Sequence, residues 1–304
     1  MTLPSIQERI SEPAYQYALF DDTRQEAIVN VASVPQRSPF RYPGGKTWLV
    51  PRLRRWLGSL PQKPSELIEP FTGGGIIGLT VAFEDLARRV TMVELDADVA
   101  AVWQTVLGGD ASWLAEKIAG FAITPECVQA ELERTPRSTP ERAFQTLLRN
   151  RVNHGGILAP GSGRLKHGEN GRGMASRWYP QTLRTRILNI ASVAHKIRFI
   201  QGDGIAVIRE NACRPDAAFF IDPPYTAAGK KAGSRLYTHN ELDHEELFLA
   251  TQAVTGDFLM TYDNADGVRT LAGRHGFAAL AIPMKNTHHA EMTELLIGRS
   301  LDWA

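Results

Sequence analysis

The chain has 304 residues, 43% of them hydrophobic and 22% charged, with a formal net charge of +1 at pH 7. That length suits one large domain, or one domain with an insertion, and is enough to bury a sizeable core. A balance this near neutral excludes a uniformly basic nucleic-acid binder, so any such surface must come from local clustering.

The two cysteines, Cys127 and Cys213, form no CxxC and have no histidine at zinc-ligand spacing. This argues against a disulfide framework or a structural metal and for a reduced, cytoplasmic setting. The sequence shows neither a basic-then-apolar leader nor an apolar run of membrane-spanning length, so no membrane partner is expected.

Residues 1–38 are polar and mixed, with acids at Glu8, Glu12, Asp21, Asp22 and Glu26. They read as an N-terminal extension, either a partner-binding arm or a loosely ordered leader. From residue 39 the pattern becomes α/β. Residues 66–69 predict a short buried strand, followed by Pro70, the Gly73-Gly74-Gly75 run and an apolar helix to about Ala87. Residues 90–94 predict a second strand, with a helix from about Ala97. Further strands are expected at 197–201, 217–221, 257–262, 277–282 and 293–298. Strands alternating with helical segments predict a doubly wound, Rossmann-like sheet.

Residues 110–196 interrupt this rhythm and read as an insertion between two halves of one catalytic domain, 39–109 and 197–304. Helical patterns there are broken by Pro125, Pro136 and Pro140. A Gly-rich stretch from Gly155 to Gly173, carrying Arg164, Lys166, His167 and Arg172, predicts an exposed hairpin or loop.

The sharpest feature is Phe219-Phe220-Ile221-Asp222-Pro223-Pro224-Tyr225. An apolar strand runs directly into an acid, two prolines and an aromatic. A proline restricts the residue before it to extended conformations, so this turn is stiff. Asp222 is thereby fixed at the carboxyl end of a strand, where open α/β sheets place ligands. The residue types suit chemistry on a planar exocyclic amine, whose lone pair is delocalised into its ring. Acceptors on both N–H bonds, from the Asp222 carboxylate and the Pro223 carbonyl, favour a more pyramidal nitrogen. Tyr225 offers a face on which an extracted base can stack. A rigid turn with no chemistry is the alternative reading of the tetrapeptide alone.

Three other segments point to a nucleotide-like cofactor. Glu69-Pro70-Phe71-Thr72-Gly73-Gly74-Gly75 follows the first strand, and its glycines permit a tight turn and close backbone approach. A phosphate loop is excluded as GxxxxGK[ST] is absent. Glu94-Leu95-Asp96 closes the second strand, where an acid accepts from ribose hydroxyls or is simply solvated. Asp203, in Gly202-Asp203-Gly204, either accepts from an adenine amino group or caps a helix. Upstream, Phe40-Arg41-Tyr42-Pro43-Gly44-Gly45-Lys46 is either a turn holding a carboxylate or an ordinary turn before a helix.

Together these motifs, in this order, resemble the Dam-like DNA adenine methyltransferases. The family's Gly-Gly-Lys motif resembles Gly44-Gly45-Lys46, its Glu-Pro-Phe-x-Gly-x-Gly motif resembles Glu69–Gly75, and its Asp-Pro-Pro-Tyr is matched by Asp222–Tyr225. Asp203 also falls in place. The segment Arg149-Asn150-Arg151-Val152-Asn153 through Gly155-Gly156 and Pro160-Gly161 is similar to the family's recognition segment. Tyr237-Thr238-His239 and Asp243-His244 are similar to the segment after its catalytic loop. The likeness covers roughly residues 39–298.

The resemblance implies methyl transfer from S-adenosyl-L-methionine to N6 of a flipped-out adenine in double-stranded DNA. It also implies a sheet with an added antiparallel strand and a mainly helical recognition insertion. The catalytic candidates are Asp222, Pro223, Pro224 and Tyr225. The cofactor candidates are Tyr42, Gly44, Gly45, Lys46, Glu69, Phe71, Gly73, Gly75, Glu94, Asp96, Asp203 and Gly204. No metal is implied. Restriction-modification, orphan and phage settings remain open, as do cytosine N4 or RNA adenine as acceptor, and a non-catalytic DNA-binding role.

Between residues 134 and 198 basic residues are dense and few acids follow Glu141. Such clustering on a near-neutral chain predicts phosphate contacts. Arg149, Asn150, Arg151, Asn153, Arg164, Lys166, Arg172 and Arg177 are the DNA-binding candidates, Asn, Arg and Lys being types that read base edges. A solvated helical face with a loop is the alternative.

Overall fold

The computed structural model describes residues 33–41, 45–159, 161–165, 168, 171, 173–224, 242–285 and 291–304. Its strands are β1 (Glu66–Glu69), β2 (Arg89–Glu94), β3 (Ile197–Gln201), β4 (Ala217–Ile221), β5 (Asp257–Asp263), β6 (Ala278–Lys285) and β7 (Glu291–Gly298). They form a seven-stranded sheet in the order β3-β2-β1-β4-β5-β7-β6. The first five run parallel; β7 lies antiparallel between β5 and β6. The expected doubly wound sheet is present, with the added antiparallel strand.

β4 shows why the sequence pattern was readable. Ala217-Ala218-Phe219-Phe220-Ile221 is buried at every position, as a central parallel strand covered on both faces must be. Alternate residues serve opposite faces. Phe220 joins Leu67, Val90 and Met92 in one core; Phe219 and Ile221 join Ile68 and Val93 in the other. Helices α1 (Val50–Ser59), α2 (Ile76–Glu84) and α3 (Ala97–Leu107) contribute to the first core. The second takes α8 (Gly204–Asn211), α9 (His244–Gln252) and α10 (Asp266–Arg274). Helix α2 ends before the expected Ala87: Asp85 adopts a left-handed conformation (φ 56°) and stops it.

Within residues 110–196 lie α4 (Ala111–Gly120), α5 (Pro125–Glu133), α6 (Thr139–Val152) and α7 (Pro180–Ser192). Pro125 and Pro140 begin helices behind the capping side chains of Thr124 and Ser138, because proline suits a first turn whose N–H has no helical partner. Phe144, Leu147, Leu148, Ile187 and Ile190 of α6 and α7 join the first core, with both helices packed on α3. The first part of the Gly-rich stretch, up to Arg164, is closed by an antiparallel bridge between Asn153 and Arg164. It is flanked by His154 N–H to Gly163 carbonyl (2.9 Å) and Leu165 N–H to Val152 carbonyl (2.8 Å). Among the described residues no helix is long and apolar enough to cross a membrane.

The order of the strands fixes where a ligand can sit. The chain builds β1, β2 and β3 outward, then returns to lay β4 against the other side of β1. Loops leaving the carboxyl ends of β1 and β4 therefore diverge and open a crevice at this reversal. The β1–α2 loop and Asp222 stand there.

Candidate active site

The β1–α2 loop is held from beneath. Thr72 N–H donates to the Val93 carbonyl (2.9 Å), the Thr72 hydroxyl to the Glu69 carbonyl (3.1 Å), and Gly75 N–H to the Thr72 carbonyl (2.7 Å). The indole N–H of Trp103 donates to the Gly73 carbonyl (3.1 Å). Gly75 has φ 64°, and a Cβ there would lie 2.8 Å from both Met92 Cε and Trp103 Cζ2. Only glycine satisfies both the backbone angle and the space. Glu69, 3% exposed, accepts from Gly78 N–H at 3.0 Å. Burial lifts its carboxyl well above the usual range; the Gly78 bond opposes this, and the charges of Asp222 and Glu94 add to it.

Glu94 closes β2 and accepts from Gly73 N–H and Asp96 N–H, each at 2.9 Å. Burial pushes its carboxyl up to about 7 against those two backbone bonds. Asp96 caps α3 through Asp98 N–H (2.8 Å) and Val99 N–H (3.2 Å). Asp203 caps α8 through Ile205 N–H (3.0 Å) and is exposed. Its cap role is thus realised, beside the mouth of the crevice. Gly204 packs so tightly on the Pro70 carbonyl that a side chain would collide with it. Phe71 is half-buried on the second core.

Asp222 emerges from β4 and remains partly exposed at 22%. Thr261 Oγ1 of the neighbouring β5 donates to its Oδ1 (2.7 Å), and Lys46 Nζ lies 3.3 Å from the same oxygen. Pro223 is buried and Pro224 half-buried, so the turn after the acid is packed. Lys46 opens a single 3-10 turn behind Gly45 and is 3% exposed. Its ammonium also meets Glu294 Oε2 of β7 at 2.7 Å. Burial alone would push Lys46 down; Asp222 and Glu294 outweigh it and hold the ammonium charged. Burial pushes Glu294 up to about 7 against the attraction of Lys46, with Asp222 and Asp263 adding to the rise. The Tyr262 hydroxyl, fully buried under β5, pairs with His244 Nδ1 at 3.0 Å.

The structure therefore brings together Lys46, Glu69, Gly73, Gly75, Glu94 and Asp222 around one crevice, with Asp203 and Gly204 at its edge. Thr261 and Glu294 join them without having been expected. Neither carries a motif; only strand register could have found them, since it places β5 beside β4 and β7 beside β5. Tyr42, Gly44, Lys166, Arg172 and Tyr225, and the Tyr237–His239 segment, lie outside the described residues.

Several DNA-binding expectations are corrected. Asn150 is fully buried, with Oδ1 accepting from Arg41 N–H (2.8 Å) and Nδ2 donating to the carbonyls of Arg41 (2.9 Å) and Gly156 (2.6 Å). Its polar atoms hold backbone, so it reads no base. Arg151, 3% exposed, donates to the Pro39 carbonyl, and Asn153, 7% exposed, to the Ile157 carbonyl. These too are structural. Arg149 is paired with Asp98 at 2.8 Å. Arg164 donates to Gln129 Oε1 (2.5 Å), and Arg177 is half-buried.

The basic run is also less bare than its own stretch suggests. Arg134 pairs with Glu131 and Glu141, Arg142 with Asp98, Arg184 with Glu116 and Lys196 with Asp85. Asp85, Asp98, Glu116 and Glu131 come from outside it.

No protein-family model matches the chain, and no curated protein matches it in sequence. Solved structures with a similar course include the rRNA methyltransferase aviRa of Streptomyces viridochromogenes. That likeness has 14% identity, covers 90% of this chain and 94% of the other, and has a TM-score of 0.38. TrmN of Thermus thermophilus gives 14% identity over 83% of this chain and 48% of the other, at a TM-score of 0.36. The precorrin-6y C5,15-methyltransferase of Geobacter metallireducens gives 10% over 82% and 85%, at 0.34. At such scores these likenesses carry no argument.

Proposed function

We propose that the chain is a methyltransferase that moves a methyl group from S-adenosyl-L-methionine to N6 of an adenine extracted from double-stranded DNA. The observation that carries this reading is the position of Asp222. It stands at the carboxyl end of β4, at the reversal of strand order, with Lys46 and Thr261 both directed at its Oδ1.

The crevice fits the cofactor. A glycine turn that no side chain could replace leaves backbone open to close approach, and Glu94 stands at the end of β2, where ribose hydroxyls are met. Asp203 is exposed for an adenine amino group, and Phe71 offers apolar surface. Carboxyl groups of Asp222 and Glu294 flank the Lys46 ammonium, and Glu69 and Glu94 add further carboxyls at the ends of β1 and β2. That surplus of acid suits a cationic ligand. The bound cofactor supplies an electrophilic methyl on its sulfonium.

The rest belongs to the chain. Asp222 accepts one N–H of the target amine and the Pro223 carbonyl the other, which frees the nitrogen lone pair for attack. Lys46 and Thr261 keep the carboxylate in one orientation, so that rate comes from positioning and fixed electrostatics. The methylated nitrogen then sheds a proton, and Asp222 is the nearest base to receive it. Tyr225 supplies the stacking face. Arg164, Lys166, Arg172 and Arg177 are the remaining phosphate and base contacts.

Asp222→Ala tests the reading. Methyl transfer to DNA is expected to vanish while cofactor binding, followed by calorimetry, persists. Full transfer by the variant would overturn the mechanism.

A further inference from the structure

Glu294 belongs to no motif, yet it lies closer to Lys46 than Asp222 does. It sits on β7 in register with Asp263 of β5 and Ile282 of β6. Its carboxylate is 2.7 Å from Lys46 Nζ, whereas Asp222 is 3.3 Å from the same nitrogen. Lysine is a point charge on a flexible four-carbon stem, and an ammonium with one partner would sample several rotamers. Asp222 and Glu294 together narrow it to one place.

We propose that Glu294 is a positioning residue for the reaction at Asp222: by anchoring the Lys46 ammonium it fixes how Asp222 Oδ1 is held, and so how Asp222 meets the target amine. This rests on the function proposed above. Glu294 acts through Lys46 and contributes no bond change of its own.

The geometry makes the anchor sensitive to pH. Among the described residues the charged groups acting on Glu294 are Lys46, Asp222 and Asp263, and its register partner on β6 is the apolar Ile282. Burial and the two aspartates place its titration at about 7. Below that pH the neutral carboxyl loses the charged part of its bond to Lys46. Turnover is therefore expected to fall as pH drops through 7. Glu94 titrates in the same range but holds the cofactor loop, so its limb should appear in KM for the cofactor, not in kcat.

Glu294→Gln mimics the protonated state. At about pH 8 its kcat should fall on the order of tenfold to a hundredfold, as for other outer residues that orient a reacting group. Its KM values should stay near wild type, and the acid limb of kcat should disappear. A variant with wild-type kcat and an unchanged pH profile would overturn the proposal. So would equal loss in kcat and cofactor affinity. If the variant does not fold, a wild-type kcat that is flat between about pH 6 and 8 overturns it instead.

A further arm needs no turnover. With 15N-lysine label, the buried Lys46 ammonium should give a slowly exchanging correlation at about pH 8 that Glu294→Gln broadens or removes. Persistence of that signal contradicts the anchor. A chain that shows the anchor but methylates no nucleic acid would fail the proposed function and leave the role of Glu294 as a holder of Lys46 intact.

Discussion

One side-chain amide, that of Asn150, takes both polar groups of the Arg41 backbone: Arg41 N–H donates to Oδ1 at 2.8 Å, and Nδ2 donates back to the Arg41 carbonyl at 2.9 Å. The arrangement reproduces one rung of strand pairing without a strand. Nearby, Arg151 takes the Pro39 carbonyl and Arg186 the Ser38 carbonyl (3.0 Å). Side chains of α6 and α7 thus hold the segment that runs up to Lys46.

Asn150→Ala should accordingly cost stability, not sequence discrimination. It removes three hydrogen bonds and leaves buried backbone groups unpaired, a loss of about 2–4 kcal/mol. Urea denaturation would show the midpoint falling. A change below about 0.5 kcal/mol would contradict the clamp.

Gly75→Ala meets two penalties together. The left-handed angle costs about 1 kcal/mol, and the new Cβ must displace Trp103 and Met92 at a further cost of about 1–3 kcal/mol. Trp103 also holds the Gly73 carbonyl, so cofactor affinity should fall with stability. Thermal unfolding and calorimetric titration with S-adenosyl-L-methionine would read the two effects. Loss of stability with wild-type affinity would remove this loop from the cofactor site.

The surplus of acid predicts proton release on cofactor binding. Glu94 titrates at about 7 in the fold, above its ordinary value of 4.5. The neutral form is therefore the one folding favours. The stability this confers is complete below pH 4.5 and is lost as pH rises through about 7. A cation, or hydroxyl donors at the carboxylate, stabilise the ionised form and lower that value. Near pH 7 binding should then expel protons, seen as a binding enthalpy that depends on the ionisation enthalpy of the buffer. Glu94→Gln should reduce that dependence. An enthalpy identical in all buffers would contradict the electrostatic account.

Much of this was open to inspection in the sequence. β1, β3 and β4 begin and end where predicted; β4 was legible as an apolar run, and β1 and β3 as short segments with apolar centres bounded by turn residues. Asp222 and the glycine turn were legible because proline and glycine restrict or free the backbone locally. The misreadings share one cause: side chains were assigned by type and by near neighbours in the chain. Asn150 has the chemistry of a base reader, but its partners are backbone groups at Arg41 and Gly156. Arg142 and Arg149 looked unpaired because Asp98, their acid, lies on α3. Glu294 belongs to no motif, and pairing of β7 with β5 brings it to Lys46, 248 positions away.

The most direct measurement is transfer itself. Purified protein would be incubated with methyl-labelled S-adenosyl-L-methionine and, separately, duplex DNA and RNA, and the nucleic acids would be hydrolysed to nucleosides. Label is expected in N6-methyladenine from DNA, and is expected to be absent when Asp222 is replaced by Ala. Label in N4-methylcytosine or in RNA would contradict the assigned acceptor. No label in any nucleoside from protein that binds the cofactor would contradict the assignment of this crevice to methyl transfer.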